Sequence, residues 1–214
     1  MQLQIALDRM PLSDAVEITK AVRESADWIE VGTSLIKRYG LAAVEGIVAA
    51  AGATPVLADT KTADDARNEL LMFYAAGAAS ATVLGATELA TIQQAVEIAT
   101  ERATEIVVDL LATDDGRERE ISRIIAGRPN VVMAVHVGKD SQSSASSARQ
   151  LGLRPWPVGV PVAVAGGLTV EDVPWVRKTR PDVRLIVGSA ITAATDPGAA
   201  AAQMYGVVRR LNME

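Results

Sequence analysis

In the stretch Val56-Leu57-Ala58-Asp59-Thr60-Lys61-Thr62-Ala63-Asp64 an apolar run ends abruptly in a carboxylate, an amine and a second carboxylate. Side chains at i and i+2 of a strand share a face, so Asp59 and Lys61 are expected to point the same way, with Asp64 where a helical pattern begins. The carboxyl ends of parallel strands are where α/β folds place their chemistry. Asp8, Glu30, Asp109 and His136 stand at comparable places, each closing an apolar run. Taken singly, each has a bland explanation as a solvated loop residue, a helix cap or a structural histidine. Six polar groups converging on one mouth is a different matter, and the convergence is what points to a site.

Four carboxylates facing one cavity, Asp8, Glu30, Asp59 and Asp109, repel one another unless positive charge intervenes. Lys61 supplies one charge. A hard divalent cation would supply the rest, and an all-oxygen set built from Glu30, Asp59 and neighbouring carboxylates suits Mg2+. The chain has no cysteine and one histidine, which disfavours zinc and excludes a disulfide framework or a thiolate nucleophile. An unperturbed histidine side chain, with a pKa of about 6.5, suits proton transfer near neutrality, and His136 is the chain's one histidine. Two glycine-bearing turns, Val164-Ala165-Gly166-Gly167-Leu168 and Ile186-Val187-Gly188-Ser189-Ala190, offer backbone amides to an anion. If they follow the seventh and eighth strands of a barrel, they occupy the loops from which barrels build phosphate cradles.

The elements that must position these groups alternate eight times between short apolar runs and Ala-rich amphipathic segments. Strands are expected at Leu3 to Asp8, Trp28 to Gly32, Pro55 to Lys61, Ser80 to Gly85, Glu105 to Leu111, Val131 to Val137, Val160 to Ala165 and Val183 to Gly188. Helices are expected near Ser13 to Glu24, Arg38 to Ala51, Asp65 to Ala76, Glu88 to Glu101, Asp114 to Ala126, Ser143 to Leu151, Val170 to Lys178 and Pro197 to Leu211. This is the arithmetic of a (βα)8 TIM barrel, here a compact version forming one domain over residues 1–214. A doubly wound sheet needs fewer strands and usually carries a Gly-rich first turn, which is missing after Asp8. Ser13 reads as the cap of the first helix, Thr169 with Asp172 as a capping pair, and Pro197 as a first-turn proline. The Ser-rich stretch Ser141 to Ser147 is either an exposed helix start or a lid over the site.

With 49% hydrophobic residues the 214-residue chain can bury a full core. A net charge of −5 argues mildly against non-specific nucleic-acid binding. No basic amino-terminal region precedes a long apolar stretch, and no apolar segment approaches the roughly 20 residues a membrane span needs. A cytoplasmic protein is the expectation, with neither nucleic acid nor membrane as partner.

The run Leu57 to Asp64 resembles the D-x-K-x-x-D signature of the orotidine 5′-phosphate decarboxylase suprafamily. Within it the chain is most similar to the group of 3-hexulose-6-phosphate synthases and 3-keto-L-gulonate-6-phosphate decarboxylases. The resemblance extends over Leu3 to Asp8, Ile29 to Thr33, Thr82 to Ala86, Val107 to Leu110, His136 to Asp140, Ala165 to Gly167 and Val187 to Thr192. Asp109, Val83-Leu84-Gly85-Ala86 and Ser189 are synthase-like, the decarboxylases tending to Glu at 109 and Arg at 189. Lys139 and Asp65-Ala66-Arg67 depart from the patterns of both groups. The resemblance implies an aldol reaction in which D-ribulose 5-phosphate loses a C1 proton and the enediolate adds to formaldehyde, giving D-arabino-3-hexulose 6-phosphate. It implies Glu30 and Asp59 on magnesium, Lys61 beside the enediolate, His136 as proton carrier, and Asp8 and Asp109 orienting hydroxyls or water. It also implies a homodimer in which Asp64 completes the neighbouring subunit's site. A decarboxylase using a related enediolate and a catalytically silent sugar-phosphate-binding barrel are the alternatives.

Overall fold

The structure is a computed structural model that describes residues 1–138, 140 and 159–214. Its strands are β1 (Gln2–Leu7), β2 (Trp28–Val31), β3 (Val56–Thr62), β4 (Ser80–Leu84), β5 (Glu105–Asp109), β6 (Val131–His136), β7 (Val162–Ala165) and β8 (Arg184–Val187). Each pairs in parallel with the next, and β8 returns to β1 to close the barrel in sequence order. The expected (βα)8 TIM barrel is the observed fold. Most strands end a residue or two before their expected limits, because the last residues leave the ladder to start the loops that carry the polar groups.

The outer helices are α1 (Leu12–Val22), α2 (Thr33–Tyr39), α3 (Leu41–Ala51), α4 (Ala66–Ala75), α5 (Leu89–Glu101), α6 (Asp115–Ile125), α7 (Val173–Thr179), α8 (Ser189–Thr192) and α9 (Pro197–Met213). The single helix expected from Arg38 to Ala51 is instead two, broken at Gly40, whose φ of 61° caps α2 and redirects the chain into α3. Ser13 does not cap α1. That helix starts one residue earlier, behind Pro11, and the Ser13 hydroxyl donates to the Asp14 side chain. The other two helix starts follow the sequence: the Asp172 carboxylate accepts from the Thr169 backbone N–H at 2.9 Å, and Asp196 accepts from the Ala199 N–H ahead of Pro197. Asp172 opens α7 through a short 3-10 turn, Val170–Asp172, and α8 is a helical turn the sequence did not suggest. The expected helix from Ser143 to Leu151, the Ser141 to Ser147 stretch and Lys139 lie outside the described residues.

Strand alternation divides the core in two. Leu3, Ile5 and Leu7 of β1, with Ile29, Val83, Ile106 and Val108, pack outward against the helices and are fully buried. The opposite parity faces the barrel axis, where Leu57, Val107, Val132, Ala134 and Ala163 form a separate apolar layer flanked by Trp28 and Ile186. Burying each large aliphatic chain contributes roughly 1.5–3 kcal/mol, so the two layers fix which face of every strand looks inward. The inward residues at the carboxyl ends of the strands then have no layer above them but a cavity. None of the described helices is long and apolar enough to cross a membrane.

Candidate active site

β3 does not reach the site by plain alternation. Its pairing with β4 passes from Ala58↔Ala81 to Thr62↔Val83, so residues are in excess on β3, and Lys61 takes a left-handed φ of 47°. Asp59 and Lys61 point into one cavity as expected, but through a bulge that re-aims the lysine rather than through regular strand alternation. Side chains substitute for the lost ladder bonds: the Lys61 N–H donates to Thr82 Oγ1 at 2.8 Å and Thr60 Oγ1 donates to the Thr82 carbonyl at 2.6 Å. A non-glycine residue held in this conformation costs on the order of 1–3 kcal/mol and persists only where its surroundings impose it.

The result is a compact charge cluster. Lys61 Nζ lies 3.1 Å from Asp59 Oδ1 and 2.6 Å from Asp109 Oδ2. Burial alone would lower the lysine pKa, but the two carboxylates outweigh it and raise the value above that of a free lysine, so Lys61 is an ammonium. Burial pushes Asp109 up, yet the hydrogen bond from His136 and the charge of Lys61 overcome it and hold Asp109 at about 2. His136 Nδ1 is 3.4 Å from Asp109 Oδ2, and Asp109 Oδ1 accepts from the Leu111 N–H at 3.0 Å. Asp59 is fixed from both sides, by Thr33 Oγ1 at 2.6 Å and Thr82 Oγ1 at 2.9 Å. Glu30 behaves differently. Burial, followed by the neighbouring Asp59 charge, pushes it up to about 8, and its oxygen accepts from Gln4 Nε2 at 2.5 Å.

One cavity of about 1080 Å³ is lined by Asp8, Glu30, Asp59, Lys61, Asp109 and His136, and also by Gly166, Gly167, Gly188 and Ser189. Gly166 has a φ of 129°, and a Cβ there would stand 3.1 Å from the Val137 side chain, so the close turn requires glycine. Gly188 and Ser189 begin α8 on the same wall. Asp8 lines the cavity while serving as a cap: its Oδ1 accepts from the Ser34 and Leu35 N–H groups at 3.0 and 3.2 Å, the first turn of α2. Gly32 permits this approach, since a Cβ at that position would fall 2.5 Å from the Asp8 side chain. Asp64 is exposed, accepts from the Asp65 N–H, and is not among the residues lining its own chain's cavity.

Sequence reasoning missed Gln4, Thr33 and Thr82. Gln4 carried a readable signal, a polar residue inside an apolar strand at the parity of Asp8; the two threonines, ordinary strand-end residues, carried none. Among the described residues no three His, Cys, Asp or Glu side chains are grouped for metal ligation. Two carboxylates, Glu30 and Asp59, could hold a hard cation that takes its remaining ligands from water or substrate.

Residues 1–204 match the model of the orotidine 5′-phosphate decarboxylase / HUMPS family. The chain belongs to that family. Its relatives include the 3-hexulose-6-phosphate synthase of Bacillus subtilis (strain 168), 35% identical over 212 residues, covering 97% of this chain and 99% of that one. The crystal structure of 3-hexulose-6-phosphate synthase from Salmonella typhimurium superposes with a TM-score of 0.87 at 35% identity, covering 99% of this chain and all of the other. The 3-keto-L-gulonate-6-phosphate decarboxylase of Vibrio cholerae O1 biovar El Tor gives a TM-score of 0.78 at 24% identity, covering 99% and 97% of the two chains, a likeness of fold alone. Membership in the family agrees with the resemblance read from residues 57–64, and the higher identity lies on the synthase side.

Proposed function

We propose that the chain is an aldehyde-lyase that condenses formaldehyde with D-ribulose 5-phosphate to D-arabino-3-hexulose 6-phosphate, and reverses that reaction. The observation that carries the reading is the Lys61 ammonium clamped between Asp59 and Asp109, with His136 on Asp109, in a cavity whose opposite wall is the glycine-rich pair of turns. The amides of Gly166, Gly167, Gly188 and Ser189 would hold the phosphate, setting the sugar's carbonyl end toward Lys61. In the neutral tautomer that donates Nδ1–H to the Asp109 carboxylate, His136 offers Nε2 as the acceptor for a C1 proton. Negative charge then spreads over the oxygens on C1 and C2, where the Lys61 ammonium opposes it. C1 of the enediolate forms a bond to the formaldehyde carbon, and His136 Nε2 returns a proton to the formaldehyde oxygen as it becomes a hydroxyl. Asp8 and Asp109 orient hydroxyls or bound water.

The donor set fits Mg2+. Glu30 and Asp59 would hold the ion, and when bound it supplies Lewis-acid stabilisation of adjacent oxygen charge. Because Glu30 is pushed up to about 8 from 4.5, its proton stabilises the ion-free protein below about 4.5 and that stabilisation is lost as pH rises through 8. Mg2+ should therefore raise the melting temperature more near pH 8.5 than near pH 5.5, where a proton competes with the ion; differential scanning fluorimetry across that pH range checks this.

A homodimer would give a role to Asp64, which is exposed and does not line its own chain's cavity. If it completes the neighbouring site, mixing inactive Asp64→Ala and His136→Asn chains after unfolding and refolding should recover about a quarter of the unaltered activity, since half the dimers are mixed and each has one intact site. Independent sites would give no recovery.

The reaction itself is tested by Mg2+-dependent loss of formaldehyde in the presence of D-ribulose 5-phosphate, with the hexulose phosphate identified by NMR. Release of CO2 from 3-keto-L-gulonate 6-phosphate instead would establish a decarboxylase, and inertness toward both a silent sugar-phosphate-binding barrel.

A further inference from the structure

Beneath the apolar layer, at the amino-terminal end of the barrel, lies a second charged cluster that the chemistry above does not use. Arg184 of β8 makes a two-pronged ion pair across the barrel with Glu105 of β5, at 2.8 and 2.6 Å. Its guanidinium stacks on the Trp28 ring 4.3 Å from the centroid, and its side chain is 8% exposed. Paired, stacked and buried, this arginine is held in one orientation. Its Nη1 also donates to the carbonyl oxygen of the Gln4 amide at 3.4 Å. Gln4 in turn donates from Nε2 to Glu30 at 2.5 Å. Gln4 is 1% exposed and sits on β1 between the floor and the mouth of the barrel.

An amide has one acceptor end and one donor end, and left alone it can flip. Arg184 has only donors, so it selects the acceptor end of Gln4, and the NH2 is thereby turned to Glu30. We infer that Gln4 is the positioning residue for Glu30 and that Arg184, on the neighbouring strand β8 and anchored across the barrel by Glu105, sets Gln4's orientation. Glu30 then keeps one oxygen on the amide and turns the other to the cavity beside Asp59. This inference rests on the reading of Glu30 and Asp59 as ligands of a divalent cation.

The test is direct titration of Mn2+, used as a spectroscopic probe of the Mg2+ site, followed by the electron paramagnetic resonance signal of free ion. Gln4→Met keeps length and removes the amide; Arg184→Lys keeps a charge for Glu105 and loses the planar fork. Partners behind a metal ligand typically carry 10- to 100-fold in affinity. The expected results are a Kd raised at least about 10-fold in Gln4→Met, a smaller rise in Arg184→Lys, and a double variant no weaker than Gln4→Met alone, because Arg184 acts through Gln4. Circular dichroism melts establish that each variant is folded at the titration temperature. Should Arg184→Lys not fold, Glu105→Gln loosens the same pair without removing the guanidinium and takes its place in the cycle. Unchanged Mn2+ affinity in folded Gln4→Met overturns the inference, as does a double variant whose losses multiply. The metal reading fails separately, if the unaltered protein binds no Mn2+ or if Glu30→Gln binds it as tightly as the unaltered protein does.

Discussion

Lys61→Met should lower kcat for condensation by about 10³-fold while leaving the barrel folded. The lysine is the one cation the described structure places between Asp59 and Asp109, at 3.1 and 2.6 Å, and both carboxylates are largely buried. The substrate in its ground state carries a neutral ketone at this position, whereas the enediolate carries a full negative charge facing the same two acids. An interaction made with developing charge is lost from kcat rather than from KM, so KM should move much less. The substitution also leaves Asp59 and Asp109 facing each other without a counter-ion, and Asp109 loses part of what holds it at about 2. Steady-state kinetics at saturating ribulose 5-phosphate, beside a urea melt, separate the two effects. A purely structural role predicts a large loss of stability with kcat nearly intact in the folded fraction.

His136→Asn should lower kcat/KM by roughly 10²–10⁴-fold, the range for losing a positioned proton carrier. Asparagine retains a donor that reaches toward Asp109 but has no group that takes up a proton near neutrality. The single histidine makes the test clean, because no second imidazole can substitute. The electrostatic part of the site stays: Lys61 remains against Asp59 and Asp109, so residual activity should still respond to Lys61→Met. Comparing the single variants with the double variant measures that residue-by-residue coupling.

Much of the barrel was legible because its rules are local. Each strand is a short apolar run and each helix an amphipathic one, and the change from apolar to polar residue at Asp109 and His136 marks where β5 and β6 end. The glycines at 166, 167 and 188 were legible as turns after the last two strands, and all three line the cavity. What escaped was set by contacts between elements. The bulge at Lys61 depends on a hydroxyl from the neighbouring strand, Thr82, which takes the Lys61 N–H out of the ladder. Asp8 caps α2, a helix more than twenty residues away in sequence, and only the closeness of Gly32 makes that possible. Gly40 carries a local signal, a glycine after Lys37-Arg38-Tyr39, yet a glycine inside an otherwise apolar-periodic segment does not by itself mark a break. Arg184 lies among apolar residues of β8 and reads as an anomaly until Glu105, Trp28 and Gln4 are brought around it.

The most direct test of the central claim, that this site forms an enediolate of ribulose 5-phosphate, omits formaldehyde altogether. The unaltered protein with Mg2+ and ribulose 5-phosphate in D2O is followed by NMR at C1. Stereospecific replacement of one C1 proton by deuterium, abolished in His136→Asn, is the predicted result. Condensation with formaldehyde that proceeds without any such exchange in its absence, or exchange that survives His136→Asn unchanged, would contradict it.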